Sequence, residues 1–176
     1  MEEILSEELK VISYMFSNGA GILEARPSEL KGLMRYIYRI ASVEEDTVEL
    51  YYRESELFGG KIKKEKLKAS PLKVFMTEDR SQKNFDIEKR LVVHKNKTEQ
   101  KCFKAGKIFD LKLFYHDNCT DNNFDYKSLC YLSLIIGGIG KRVRRGRGCM
   151  TVKDIKCMSK EDQIKFVTQQ LNLLNN

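Results

Sequence analysis

Hydrophobic positions in the first quarter of the chain predict a strand followed by a helix. The run from about Glu8 to Ser17 is rich in β-prone side chains and ends at the turn signal Asn18-Gly19, whereas the N-terminal stretch MEEILSEELK is acidic and helix-like. Over residues 26–42, Pro27 suits a first helical turn, and Ser28 or the residues just before it can supply the cap. The expected buried stripe of this helix, at helical spacing, is Leu30, Leu33, Met34, Ile37 and Ala41.

The central part of the chain predicts a short helix and then mostly β structure. Asp46 with Glu49 three residues later is typical of a helix N-terminus, and Gly59-Gly60 can end that helix. Lys107–His116 alternates between polar and apolar residues as a half-buried strand does. The other expected β segments are a strand at about Leu72–Thr77 and an irregular hairpin over Ile87–Phe103, with a polar tip at Asn96–Thr98.

The last third predicts a helix, a strand and a terminal helix. Phe124–Ile136 has a helical apolar pattern that Gly137-Gly138 can end, and Cys149–Met158 is expected to be the last strand. Ser159 is expected to cap the terminal helix. One face of that helix is expected to pack on its own domain, with docking of a partner as the alternative, and it carries Ile164, Val167, Leu171 and Leu174.

Without the inserted helix and hairpin, the predicted order is strand, helix, strand, strand, helix, strand. This βαββαβ order is that of the ferredoxin-like fold, which RNA-recognition domains share. We therefore expect an α+β fold, with a single ferredoxin-like (RRM-like) domain over residues 1–176, a glycine-rich loop before the last strand and a C-terminal helix. Fold alone does not assign a function.

The composition is that of a folded protein with excess positive charge. The 176 residues are 41% hydrophobic and 32% charged, with a net charge of +7. An isoelectric point near 9.1 suits a polyanionic partner such as nucleic acid. There is neither a signal-peptide pattern nor a run of about 18 apolar residues, so we expect a cytoplasmic protein without a membrane partner. The five cysteines lack zinc spacing and are expected to be reduced and partly buried.

The segment GGIGKRVRRGRG, from Gly137 to Gly148, carries the candidate chemistry. Glycine lets the backbone approach a ligand closely, and successive free N–H groups form an anion-binding concavity. Arginine adds a permanent charge and a planar fork that matches phosphate. The segment is not a Walker loop, since no GK[ST] ending follows a strand. The residues expected to bind phosphate are Gly137, Gly138, Gly140, Lys141, Arg142, Arg144, Arg145, Gly146, Arg147 and Gly148.

A solvated, mobile basic loop is the alternative interpretation of this segment. Five cations within seven residues repel one another, however, so an anionic partner is the natural stabiliser. If all five met a single strand, log affinity against log salt would have a slope of about −3.5, at roughly −0.7 per phosphate. On the first helix, Lys31, Arg35 and Arg39 follow one another at helical spacing and form a cationic ridge. Alone it is typical of a solvated face, but together with the loop it becomes a second contact.

Three stretches resemble the RAMP superfamily of type III CRISPR systems. RPSELKGLMRYIYR, and the ESELFGG of residues 54–60, are similar to the N-terminal domain of subunit one of the type III-B Cmr complex. GGIGKRVRRGRG resembles the glycine-rich loop of the superfamily, with Val143 and Arg147 in place of the usual small residue and aromatic. The first stretch and its flank match the family at Glu24, Arg26, Pro27, Ser28, Lys31, Gly32, Arg35, Tyr36 and Tyr38.

The resemblance implies a prokaryotic, non-catalytic subunit that binds CRISPR RNA, target single-stranded RNA or both, in antiviral defence. The implied partners include other CRISPR effector subunits, no cofactor or metal is expected, and Arg26 joins the ridge and the loop as an RNA contact. Subunit one usually has two such domains, whereas this chain has room for one. A compact relative, one half of a split protein and a homodimer are all open.

A metal-independent CRISPR RNA endonuclease of the same superfamily is the competing hypothesis. Such cleavage needs a general base, often a histidine, and the resemblance gives no role to His94 or His116. Asp117, Asp121 and Asp125 do not match a calcium loop and are expected to form turns and helix caps. A third hypothesis is a structural subunit whose basic loop contacts a protein partner.

Overall fold

The computed structural model describes residues 1–19, 22–44, 46–62, 66–78, 87–92, 98–116, 124–152, 155 and 158–174. Within these ranges the protein has an α+β architecture with four α-helices. The helices are α1 Pro27–Ala41, α2 Thr47–Phe58, α3 Tyr126–Ile136 and α4 Lys160–Leu174. The strands are β1 Glu2–Val11, β2 Asn18–Gly19, β3 Ile22–Leu23, β4 Gly60–Lys61, β5 Leu67–Lys68, β6 Leu72–Glu78, β7 Ile87–Val92, β8 Thr98–Phe103, β9 Ile108–Tyr115 and β10 Met150–Val152.

A four-stranded antiparallel sheet, in the order β10-β1-β9-β6, forms the centre of the structure. Strand β1 pairs with β9 from Glu2 opposite Tyr115 to Lys10 opposite Ile108, and with β10 on its other side. The pairs β2–β3, β4–β5 and β7–β8 form separate hairpins. Because β10 lies beside β1, the chain that leaves β1 runs next to the chain that enters β10.

The N-terminal stretch is a strand, so the helix-like prediction for it is wrong. Strand β1 begins at Glu2 rather than near Glu8. Leu5 and Leu9 are both buried and lie four residues apart, a spacing that also fits an amphipathic helix. The pairing shifts register between Glu3 and Leu5, which breaks the strict alternation expected of a strand. Pairing with β9 outweighs the weak local helix propensity.

The core lies between the sheet and helices on one of its faces. Helices α1 and α3 pack against each other, with α1 also on β6 and α3 also on β1 and β10. On β9, Phe109, Leu111 and Leu113 are buried while Ile108 and Asp110 are exposed, so the alternation predicted there is confirmed. Each fully buried leucine contributes about 1.5–3 kcal/mol relative to an exposed one.

The helix N-termini show which predicted caps form. Asp46 accepts hydrogen bonds from the amides of the second and third residues of α2 at 2.8 and 3.1 Å, as predicted. Ser159 accepts from the Asp162 amide at 3.1 Å, which confirms the cap of α4, and Asp125 caps α3. Helix α1 has Arg26 at its N-cap, so the cap position lies just before Ser28, as one of the two predicted alternatives had it, but no side chain caps the helix. Pro27 at the first position reduces the need for a cap.

Helix α4 packs on its own domain, chiefly against α3. Val167, Leu171 and Leu174 contact the core as predicted, joined by Phe166. Ile164 was expected on the same face, but 59% of it is exposed. The last strand is also shorter than the predicted Cys149–Met158, and residues 153, 154, 156 and 157 lie outside the described residues.

The cysteines that the structure describes follow the expectation of buried thiols in part. Cys102 and Cys130 are buried and Cys149 is half-buried, all three as reduced thiols. Burial raises the pKa of the Cys130 thiol to about 12, with the nearby Glu7 charge as a second cause. Cys119 and Cys157 lie outside the described residues, as do His94, Asp117, Asp121 and, in the predicted hairpin tip, Asn96 and Lys97. Thr98, also expected in the tip, is the first residue of β8. Among the described residues, no helix is long and apolar enough to cross a membrane.

Candidate nucleic-acid interface

The glycine-rich segment Gly137–Gly148, called the basic loop below, docks on residues 12–17, called the β1 extension. The Lys141 amide donates to the Phe16 carbonyl oxygen at 2.8 Å, and the Gly148 amide donates to the Tyr14 carbonyl oxygen at 3.0 Å. The Ile139 amide donates to the Gly148 carbonyl oxygen at 2.9 Å and closes the neck of the loop. Backbone hydrogen bonds therefore hold both arms of the loop against the sheet domain.

Two glycines permit the closed neck of the loop and its docking on the β1 extension. Gly148 has φ +67°, and a Cβ there would lie 1.9 Å from the Ile139 carbonyl oxygen. Gly140 has φ +96°, and a Cβ there would lie 2.5 Å from the Phe16 carbonyl oxygen. Only glycine adopts these left-handed conformations at little cost and leaves room for the neighbouring carbonyl.

Several loop amides that the sequence suggested would face a ligand instead donate within the protein. The amides that donate to backbone carbonyl oxygens are those of Gly137, Ile139, Lys141, Arg145, Gly146 and Gly148. Six of the twelve amides of the loop therefore already donate within the protein, so an uninterrupted row of free N–H groups along the whole loop is not present. Anion binding by the other amides of the loop stays a prediction. The side-chain cations of the loop add to whatever these other amides contribute to anion binding.

The cations of the basic loop point in different directions. Lys141, Arg144 and Arg145 are exposed, and the Lys141 amine donates to the Gln100 side-chain oxygen of β8 at 3.2 Å. Arg142 (φ 63°) turns the chain into the single 3-10 turn of residues 143–145. The Arg147 guanidinium lies 5.6 Å from the centre of the Tyr14 ring, a cation–π distance.

The basic loop is an open cationic surface. Within the described ranges, none of its five cations forms an ion pair with a carboxylate. Like charges this close repel one another, and an external anion would offset that repulsion. The arrangement can hold a polyanion through guanidinium–phosphate contacts.

The cationic ridge (Lys31, Arg35 and Arg39 of α1) is instead engaged inside the protein. The Arg35 Nε donates to Glu54 Oε1 at 2.6 Å, and an Arg39 guanidinium nitrogen donates to Glu54 Oε2 at 2.9 Å. The Glu54 side chain, on α2, is only 4% exposed. Two partly exposed arginines therefore neutralise one buried carboxylate and fasten α1 to α2.

Lys31 and Arg26 also have partners within the domain. The Lys31 amine donates to the Ser70 hydroxyl and to the Leu72 carbonyl oxygen, and burial, then the nearby Arg35 charge, lowers the pKa of Lys31. Arg26 pairs with Glu29, one turn further along α1. RNA contact at these positions stays a prediction, and it would compete with the internal partners of these charges.

Sequence reasoning missed the carboxylate that holds the ridge. Glu54 lies three and four residues before the buried Leu57 and Phe58, so it falls on the buried face of α2. A glutamate at such a position requires a cationic partner. Reasoning also missed the apolar side chains beside the basic loop, Tyr36, Ile40 and Ile136, about half of each of which is exposed.

The arginines of the ridge are partly exposed whereas Glu54 is buried, and this difference in burial leads to a stability prediction. Arg35→Gln/Arg39→Gln leaves a buried carboxylate unpaired and is expected to lower the free energy of unfolding by about 3–5 kcal/mol. Glu54→Gln leaves two arginines that water can reach and is expected to cost less, about 1–2 kcal/mol. The triple variant should recover part of the loss of the double variant. Urea unfolding followed by circular dichroism measures all three.

The control for this cycle is Glu56→Gln, an exposed position on the same helix. It should leave the unfolding midpoint unchanged. A double arginine variant as stable as the wild type would contradict the internal role of the ridge.

The close docking of the basic loop generates a second prediction. Gly148→Ala is expected to lower the free energy of unfolding by about 3–5 kcal/mol, because left-handed strain adds to an overlap with backbone. Gly146→Ala is the matched control, since Gly146 also has a left-handed φ, +71°, but open space around it. It should cost only about 1–2 kcal/mol. Equal losses in thermal unfolding of the two variants would show that the neck of the loop does not close on Ile139 as described.

The protein is therefore an α+β protein in which helices cover one face of an antiparallel sheet and a basic loop leads into the edge strand β10. The model of the RAMP superfamily matches residues 9–151 of this sequence. The chain therefore belongs to the RAMP superfamily, which confirms the family predicted from the motifs. A search of curated proteins finds no significant match.

Solved structures show the same fold in CRISPR complexes. A chain of a type III-B Cmr-beta complex bound to cognate target RNA and AMPPnP, in the presence of ssDNA, matches 100% of this chain with a TM-score of 0.63 and 13% identity. A second Cmr-beta structure bound to cognate target RNA matches 86% of this chain (TM-score 0.51, 16% identity), and a type IV-B CRISPR complex matches 89% (TM-score 0.51, 11% identity).

The extent of these matches differs between the complexes. This chain spans 64% and 58% of the two Cmr-beta chains but 93% of the type IV-B chain. At these identities the likeness shows a shared fold.

Proposed function

We propose that this protein is a non-catalytic, RNA-binding subunit of a Cmr-like CRISPR effector complex. We further propose that its domain is ferredoxin-like. The sheet order β10-β1-β9-β6, with α1 between β1 and β6 and α3 between β9 and β10, supports that assignment because it corresponds to βαββαβ connectivity. Membership of the RAMP superfamily and structural neighbours in CRISPR complexes support the assembly.

The observation that carries the RNA-binding proposal is the exposed, unneutralised charge of the basic loop. Lys141, Arg144 and Arg145 are exposed, and the described residues provide none of them with a carboxylate. Guanidinium groups bind phosphate oxygens in a planar, two-pronged geometry, which suits a nucleic-acid backbone. The partner is CRISPR RNA, target single-stranded RNA or both.

The chemistry of the loop supports a non-catalytic role. RNA cleavage without a metal needs a general base beside the reacting hydroxyl. The segment from Gly137 to Gly148 contains no histidine, aspartate or glutamate. Glu29, which lies against the loop, accepts hydrogen bonds from Ser17 and Arg26. The loop cations would therefore bind the RNA backbone without supplying a general base for cleavage.

Assembly with other subunits is part of the proposal. The Cmr-beta chains that match are longer than this one, so a second domain, another effector subunit or a second copy would complete the corresponding unit.

Salt dependence tests the proposal. Three exposed cations that each neutralise one phosphate of a single strand give a slope of log affinity against log salt of about −2. Arg144→Gln/Arg145→Gln should weaken binding and reduce the slope to about −0.7. Fluorescence anisotropy with a labelled single-stranded RNA, over a series of salt concentrations, measures both.

The control removes the same charge elsewhere. Lys160→Gln/Lys165→Gln changes two exposed lysines of α4 and should leave the slope near that of the wild type. Equal slopes for the loop variant and the wild type would contradict the proposal and favour a protein partner for the loop. Denaturing gels of the same reactions without metal should show intact RNA, and a product that His94→Ala or His116→Ala abolishes would indicate the nuclease instead.

A further inference from the structure

A groove of about 570 Å³ lies between α1 and the basic loop. This volume falls within the range of roughly 300–1,000 Å³ for small-molecule sites. Its walls are mainly apolar, from α1, the end of α3 and the loop. The side chains that define it are Tyr36, Ile40, Ile136, Ile139 and Arg144.

Three of these side chains are exposed although they are large and apolar. Tyr36 is 50% exposed, Ile40 57% and Ile136 53%. Tyr36 and Ile40 lie four residues apart on α1, so they share one face of that helix, away from the buried stripe. A cluster of this kind beside a polar rim marks a binding surface more often than an ordinary solvent face.

The charges around the groove favour an anionic ligand, and its apolar walls favour a ligand with a flat apolar part. Arg144 lines the groove and is also one of the exposed cations of the basic loop. The carboxylate that lines it is that of Glu29, which is neutralised by Arg26 and accepts a hydrogen bond of 2.6 Å from the Ser17 hydroxyl. The negative charge of Glu29 is therefore neutralised inside the groove, and the positive charge of Arg144 lies at its edge.

We propose that the groove holds one unstacked nucleobase of the strand whose phosphates the basic loop binds, with the base stacked on Tyr36. The inference rests on the proposed function, because the base enters only if its backbone lies on the loop. Single-stranded RNA offers splayed bases, and stacking on an aromatic ring accepts any base because each has a π face. The aliphatic groups of Ile40 and Ile136 cover the rest of the base.

Two single-stranded oligomers of equal length, one with bases and one without, separate base binding from backbone binding. Tyr36→Ala is expected to weaken binding of a single-stranded oligouridylate roughly 5- to 150-fold, the usual effect of losing one stacked base. The same substitution should leave binding of an abasic ribose-phosphate oligomer of equal length unchanged. Tyr36→Phe keeps the ring and should restore the affinity for oligouridylate.

A spectroscopic readout reports stacking directly. The fluorescence of 2-aminopurine within a single-stranded RNA should be quenched on binding to the wild type and to Tyr36→Phe, but less so on binding to Tyr36→Ala. Tyr51→Ala is the matched control, because Tyr51 is a 48% exposed tyrosine on α2, and it should behave as the wild type does. Thermal unfolding confirms that each variant is folded.

The outcomes distinguish the base groove from the proposed function. If Arg144→Gln/Arg145→Gln weakens binding of both oligomers while Tyr36→Ala weakens neither, the base groove is wrong and the RNA-binding function stands. If the arginine variant binds both oligomers as the wild type does, the proposed function fails and the base groove fails with it. Equal loss of both oligomers in Tyr36→Ala would also overturn the inference, since it would show a contact to the backbone.

Discussion

Backbone contact between the basic loop and the β1 extension is the constraint on which the candidate interface depends. Strand β1 pairs with both β9 and β10, so the residues that follow β1 run beside those that enter β10. Gly140 and Gly148 let the loop approach carbonyl oxygens that any other residue would overlap. The carbonyl oxygens of Tyr14 and Phe16 accept the loop amides. With the backbone held inward, the exposed cations are presented to solvent on an ordered support.

The two cationic groups of the protein therefore have different physical roles. The arginines of the cationic ridge neutralise Glu54, a buried carboxylate that would otherwise be costly, and so they contribute to folding. The cations of the basic loop lack such a partner among the described residues, and a bound anion would relieve their mutual repulsion. An interface built this way gains favourable energy on binding a polyanion, because the unbound state retains the unrelieved repulsion.

Much of the fold could be predicted from the sequence because local signals and tertiary packing agree. Pro27 and the apolar stripe of α1, Asp46 before α2, and the alternation along β9 each specify one element. The first strand could not be predicted correctly, since the spacing of Leu5 and Leu9 fits a helix and only pairing with β9 decides between the two. For the candidate site, the sequence indicated the cations and glycines of the loop. It could not indicate which loop amides dock on the β1 extension or which carboxylate pairs with the ridge arginines, because both depend on contacts between residues far apart in the chain.

Ultraviolet crosslinking of the protein to RNA within its native complex, followed by mapping of the attached peptides, tests the central claim most directly. Attachment is expected within Gly137–Gly148, with a second position on α1 near Arg35 and Tyr36. Attachment confined to the β7–β8 hairpin, with none on the basic loop, would contradict the assignment of the loop as the RNA contact.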